Sequence, residues 1–165
     1  METPIAEPVN FFISYAHEDE KHKDDLLKFL KPMVRNKVIA IWNDRAIIAG
    51  QKWNKEINDA LDKSEVVLLL LSADFFASDY INEVEIKKAL DAAKTGSKII
   101  VPIMLRDCDV NSFILNNDPD TKLSNYQGLP ANFKPVEEWE YPDKAWMSVT
   151  EGIKDLIRYI KENKQ

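Results

Sequence analysis

Val66-Val67-Leu68-Leu69-Leu70-Leu71 is an unbroken apolar run between Glu65 and Ser72. It is far shorter than the roughly 20 residues a membrane-crossing helix needs. A run of this length suits a strand buried on both faces, as in the interior of a parallel sheet. The segment after it, Ser72 to Leu90, has helical composition. In open α/β sheets, ligands bind where strand C-termini hand over to helices. The run therefore points to its own end, and to the two carboxylates beyond it, Glu83 and Glu85.

Working outward, Val9 to Tyr15 is β-rich and mostly apolar, a second strand candidate nearer the start. His17-Glu18-Asp19-Glu20 is a polar turn into a helix whose apolar face is Leu26, Leu27, Phe29, Leu30 and Met33, with Pro32 expected to bend or end it. Val38 to Trp42 reads as a strand. Trp53, Ile57, Ala60 and Leu61 mark an amphipathic helix, and a further helix is expected from about Asp79 to Ala93, stopped at Gly96. Lys98 to Ile103 is another strand, and 106–132 reads as an irregular loop with room for one short helix. Lys134-Pro135-Val136 is read as a short fifth edge strand, and Trp146, Val149, Ile153, Ile157 and Ile160 define a closing helix.

Alternation of strand and helix calls for a parallel sheet with helices on both faces. Right-handed crossovers prune the topologies. The expectation is an α/β, flavodoxin-like three-layer fold, with a five-stranded parallel sheet in the order 2-1-3-4-5. One domain is expected over 9–161, flanked by tails at 1–8 and 162–165.

Composition narrows function. With 22 basic and 28 acidic residues the net charge is −6, and the lysines are scattered, which disfavours a nucleic-acid surface. The single cysteine, Cys108, excludes an intrachain disulfide and fits a reducing cytoplasm. No signal peptide or membrane span is read, so the expected location is cytoplasmic, without membrane partners. Glycine-rich phosphate loops are absent. His17 and His22, five apart, are poorly spaced to share a metal and read as solvated, so no metal is expected.

Helix geometry separates the two glutamates, because residues three and four apart share a face. Glu83 has Asp79 and Lys87 at i−4 and i+4, a solvated setting. Glu85 has Ile81 and Ala89 there, with Lys88 as its only charged helical neighbour. A carboxylate in an apolar stripe costs folding energy unless it has a dedicated partner or a role; the alternative is a rim carboxylate that reaches water. Ser78 is read as an N-cap with Asp79 in the first turn. Ser72 either faces a ligand or closes the turn. The 43–52 connection is longer than the usual βα loop of about 2–6 residues, and it carries an apolar tip, Ile47-Ile48. Such a tip marks a contact or folds back on its own domain.

With these segments placed, the chain resembles a Toll/interleukin-1 receptor (TIR) domain of the prokaryotic type. The resemblance rests on Phe12-Ile13-Ser14-Tyr15-Ala16-His17-Glu18-Asp19, on Ile41-Trp42-Asn43-Asp44-Arg45 through Gly50-Gln51-Lys52-Trp53, and on Leu70 through Tyr80 with Val84-Glu85-Ile86-Lys87-Lys88-Ala89 after it. Val101 to Arg106 and the closing helix agree. Many members have a cysteine four residues before the family's catalytic glutamate, where this chain has Ile81.

The resemblance implies cleavage of the nicotinamide–ribose bond of NAD+, giving nicotinamide with ADP-ribose or a cyclic ADP-ribose isomer, in antiphage defence or signalling. NAD+ is then substrate, and no cofactor is implied. The catalytic glutamate of the family falls on Glu85. Substrate-binding candidates are Phe12, Ser14, Trp42, Arg45, Lys52, Ser72 and Tyr80, the aromatic ones with a core role as the alternative. The resemblance further implies homotypic self-association through an assembly loop, Ala46, Ile47, Ile48, Ala49 and Gly50, set beside a neighbour's pocket, and an activating sensor domain or protein. The competing reading is a non-catalytic TIR module that only self-associates. A receiver domain of the same fold is set aside, because Ser72 stands where its phosphoacceptor aspartate would be.

Overall fold

The computed structural model describes residues 7–42, 53–79, 81, 86–112, 118–119 and 122–163. Among these, four parallel strands form one sheet: β1 (Val9–Ser14), β2 (Ile39–Trp42), β3 (Val66–Leu71) and β4 (Ile99–Met104), in the order β2-β1-β3-β4. The register aligns Phe12 with Trp42 on one side and with Val67 on the other. The expected parallel α/β sandwich is observed, and its strand order is that expected for the first four strands.

Strand alternation sends successive side chains to opposite faces. Phe11, Ile13, Leu68, Leu70 and Ile103 pack in one core cluster with α1 (Glu20–Arg35) and α5 (Pro142–Asn163). Phe12, Val67, Leu69, Leu71 and Met104 pack in the other with α2 (Trp53–Lys63), α3 (Ala73–Ala77) and α4 (Lys87–Lys94). β3 is covered on both faces and paired on both edges, and no residue in it is more than 1% exposed. Truncating any of its leucines to alanine would cost about 2–5 kcal/mol by the cavity left behind.

One helix differs from expectation. α1 runs through Pro32 for one further turn to Arg35. Pro32 and Lys28 are both exposed, so the Lys28 carbonyl that loses its helical donor at Pro32 lies on the side that faces water, while Met33 stays buried. The helix expected from about Asp79 is helical at every described position, with Asp79 at its start, π-helical turns at Ile81 and Ile86, and α4 from Lys87; the separate short α3 precedes it. α4 ends as expected: Gly96 has φ +76°, and the N–H groups of Gly96 and Ser97 return to Ala93 and Ala92 at 3.1 and 3.0 Å. All five residues expected on the apolar face of α5 are buried.

The fifth strand is a correction. Val136–Glu138 is a 3-10 turn, and along the outer edge of β4 a single residue, Leu129, makes an isolated parallel bridge with Ile103 among the described residues. Leu129 N–H donates to the Pro102 carbonyl at 2.9 Å, and Met104 N–H donates to the Leu129 carbonyl at 2.9 Å. Pro130 and Pro135 interrupt the chain just beyond Leu129; proline cannot donate to a ladder, so pairing stops after one residue. The expected short helix of the 106–132 loop is a 3-10 turn at Leu123–Asn125.

Candidate active site at the C-terminal edge of the sheet

The C-terminal ends of β1, β2, β3 and β4 place Ser14, Trp42, Leu71 and Met104 along one edge of the sheet. The strand order reverses direction between β1 and β3, the position at which such sheets bind ligands. Trp42 stacks on Phe12 with ring centroids 5.2 Å apart and 12° between planes. Phe12 is 1% exposed and Trp42 is half-buried. The structure thus removes Phe12 from direct substrate contact: it is the core-facing backing of the stack, and only Trp42 has an open surface. Ser14, also 1% exposed, is enclosed in the same way.

Ser72 comes directly after β3 and is fully buried. Its hydroxyl accepts the Phe75 N–H at 3.1 Å, capping α3, and donates to Asp19 Oδ2. Both roles are internal, so of the two readings open for Ser72 the structure supports turn closure over ligand contact. The Ser78 hydroxyl accepts the Ile81 N–H at 3.3 Å, in keeping with the cap expected there.

Asp19, 1% exposed, closes the first stretch of the family resemblance and is the centre of a charged cluster that sequence spacing does not reveal. Arg106 Nη2 lies 2.7 Å from Asp19 Oδ1 and 2.9 Å from Asp74 Oδ2, so one nitrogen joins both carboxylates. The hydrogen bond to Asp74 and the neighbouring charges of Asp19, Glu137 and Asp74 hold the guanidinium above its ordinary pKa, against the opposing pull of desolvation. His22 extends the cluster: Nε2 is 3.0 Å from Glu137 Oε1, and Nδ1 is 4.0 Å from Asp19 Oδ1. His22 is therefore a bridging residue, which corrects its reading as solvated, while His17 is exposed as expected. The signal for Arg106 was available, since it is a lone cation just past a buried strand. Its pairing with Asp19, 87 residues away, had none.

Arg45, Lys52, Tyr80, Glu85 and the loop Ala46, Ile47, Ile48, Ala49 and Gly50 lie outside the described residues. The flanks of the glutamate segment are described. Ile81 is 5% exposed and Ile86 fully buried, both in the core cluster that contains Phe12 and receives Trp42. Lys88, the helical neighbour expected for Glu85, reaches to α2, where Nζ is 2.8 Å from Asp62 Oδ1 and 3.4 Å from Asn58 Oδ1. Among the described residues no group of three or more His, Cys, Asp or Glu is placed to hold a metal ion, and no helix is long and apolar enough to cross a membrane.

Residues 11–135 match the TIR domain family. The chain is a TIR domain. It is 36% identical over 144 residues to the uncharacterized protein y4lF of Sinorhizobium fredii (strain NBRC 101917 / NGR234), covering 87% of this chain and 42% of the relative. It is 30% identical over 103 residues to the 2′ cyclic ADP-D-ribose synthase BtTIR of Bacteroides thetaiotaomicron, covering 60% of this chain and 34% of that protein. The chain thus spans less than half the length of either relative. In fold, this TIR domain resembles the crystal structure of the TIR domain of the Toll-related receptor TRR-2 from Hydra magnipapillata, with a TM-score of 0.53, 21% identity, and 87% of this chain and 97% of the other covered.

Proposed function

We propose that this TIR domain cleaves the nicotinamide–ribose bond of NAD+, acting as a glycohydrolase or cyclase with Glu85 as its catalytic carboxylate. The observation that carries the reading is the burial of both flanks of the glutamate segment, Ile81 and Ile86, in the cluster that also seats the Phe12–Trp42 stack. The kinship with a cyclic ADP-ribose synthase supports this choice of bond.

The chemistry asks little of the protein. Nicotinamide leaves the pyridinium as a neutral molecule, so the general acid of ordinary glycoside hydrolysis is unnecessary. The transition state is oxocarbenium-like. A desolvated Glu85 would hold the ribose hydroxyls and offset the developing positive charge. Trp42 offers the open ring for nicotinamide or adenine, stiffened from behind by Phe12. Arg45 and Lys52 are assigned to the pyrophosphate or to docking of the loop.

Self-association completes the proposal: the 46–50 loop of one copy sits beside the pocket of the next, in a cytoplasmic defence or signalling system triggered by a sensor domain or protein. Concentrated protein incubated with NAD+ should release nicotinamide, and Glu85→Ala should abolish the release. Equal release from that variant would sink the assignment. No release from either under crowding would leave the self-associating module as the function. Mass spectrometry of the products separates hydrolysis from cyclisation.

A further inference from the structure

Arg106 has an unusual arrangement of partners. The two carboxylates, Asp19 and Asp74, share its Nη2, while Nε is buried without a hydrogen-bond partner among the described residues. The bidentate fork that ordinarily favours arginine over lysine is not in use. What the site uses is a single cationic nitrogen between two oxygens that come from different connections, the turn after β1 and the first turn of α3. The desolvated Asp19 also accepts the Ser72 hydroxyl, and Ser72 caps α3 through Phe75 N–H. α3 ends at Ser78, whose hydroxyl takes the Ile81 N–H. A continuous series of hydrogen bonds therefore runs from the end of β4 to the residue four before Glu85.

We propose that Arg106 is a positioning residue that fixes α3 and, through it, the segment bearing Glu85. This inference deepens the NAD+-cleavage reading and rests on it for its catalytic consequence. Asp19 and Asp74 pull on one nitrogen from opposite connections, so the start of α3 cannot shift relative to β1 without breaking a charge-assisted bond. Misplacement of a catalytic group by about an ångström costs on the order of a hundredfold in rate. Trp42 belongs to β2, away from this series, so capture of substrate does not depend on it.

The test compares Arg106→Gln with Arg106→Lys at fixed protein concentration. Arg106→Gln should lower kcat for nicotinamide release by roughly ten- to a hundredfold with KM nearly unchanged. Arg106→Lys, which restores one cationic nitrogen, should recover most of the loss. Amide hydrogen exchange provides a readout independent of catalysis. Arg106→Gln should speed exchange at Phe75 and Ile81 while leaving the middle of α5 protected, and Arg106→Lys should restore protection. If Arg106→Gln fails to fold, Asp74→Asn breaks only the outer half of the bridge, at a residue 42% exposed, and should give the same pattern more weakly. Even loosening of the whole chain, a KM effect without a kcat effect, or failure of lysine to rescue would overturn the proposal. A wild-type protein that releases no nicotinamide would defeat the NAD+ reading alone, and the exchange pattern would still decide the positioning role.

Discussion

A carboxylate withdrawn from water is tolerated only where donors replace the lost solvent. Asp19 has two, the Ser72 hydroxyl and Arg106 Nη2. Asp19→Ala should therefore destabilise the domain by about 3 kcal/mol, near the lower bound for breaking a buried pair, because Arg106 keeps Asp74. Urea unfolding measures this, and a loss under about 1 kcal/mol would class the pair with surface ion pairs. Cys108 behaves oppositely to a reactive thiol. Burial, with Asp107 next in effect, pushes it from 9.0 to about 11. Its thiolate fraction at pH 8 is then about a hundredfold below that of the unperturbed group, so iodoacetamide should label the folded chain about that much more slowly than the unfolded one. Helix spacing could single out Glu85 as a candidate from sequence because its neighbours along the helix are local. It could not reach Asp19, whose donors come from two other connections, after β3 and after β4.

At the scale of the element, the elements read correctly from sequence are the four strands, as short apolar runs, and α2 and α5, whose apolar residues keep a helical period. Those misread depend on proline, as at Pro32 in α1 and at Pro130 and Pro135 beside β4, where the outcome is set by which side faces water or a neighbouring strand. Lys98 shows another contact invisible to periodicity. It is 8% exposed, and its Nζ donates to the carbonyls of Asp62 at 3.2 Å and Ser64 at 2.5 Å, closing the end of α2. Lys98→Met should cost about 1 kcal/mol at pH 7 by leaving those carbonyls without their donor. Desolvation lowers the pKa of Lys98 below 10.5, against the opposing charge of Asp62. Between the lowered folded value and the ordinary one the unfolded chain binds more protons, so this residue makes the wild type gain stability as pH rises. Urea midpoints at pH 7 and 9.5 should show that gain in the wild type and a smaller one in Lys98→Met.

For the molecule as a whole, the proposed self-association makes specific activity depend on concentration. Nicotinamide release per mole should fall on dilution and recover with a crowding agent, and a constant value across a hundredfold dilution would exclude assembly gating. Strand order and the two helical layers were legible because alternating βα units leave few arrangements. The last edge was not, because it rests on one bridge. That edge limits how copies can meet. Leu129 already occupies the pairing site at the C-terminal half of β4, and the outward-facing Pro102 brings a carbonyl but no N–H. Little more than Ile100 is left to template an incoming strand. Copies of this domain are thus barred from zipping sheet to sheet along β4. Assembly across the β4 edge has to grow through side chains and loops, where contacts can be made and undone without the near-permanence of a shared sheet, and a shared strand is left to the opposite edge, β2.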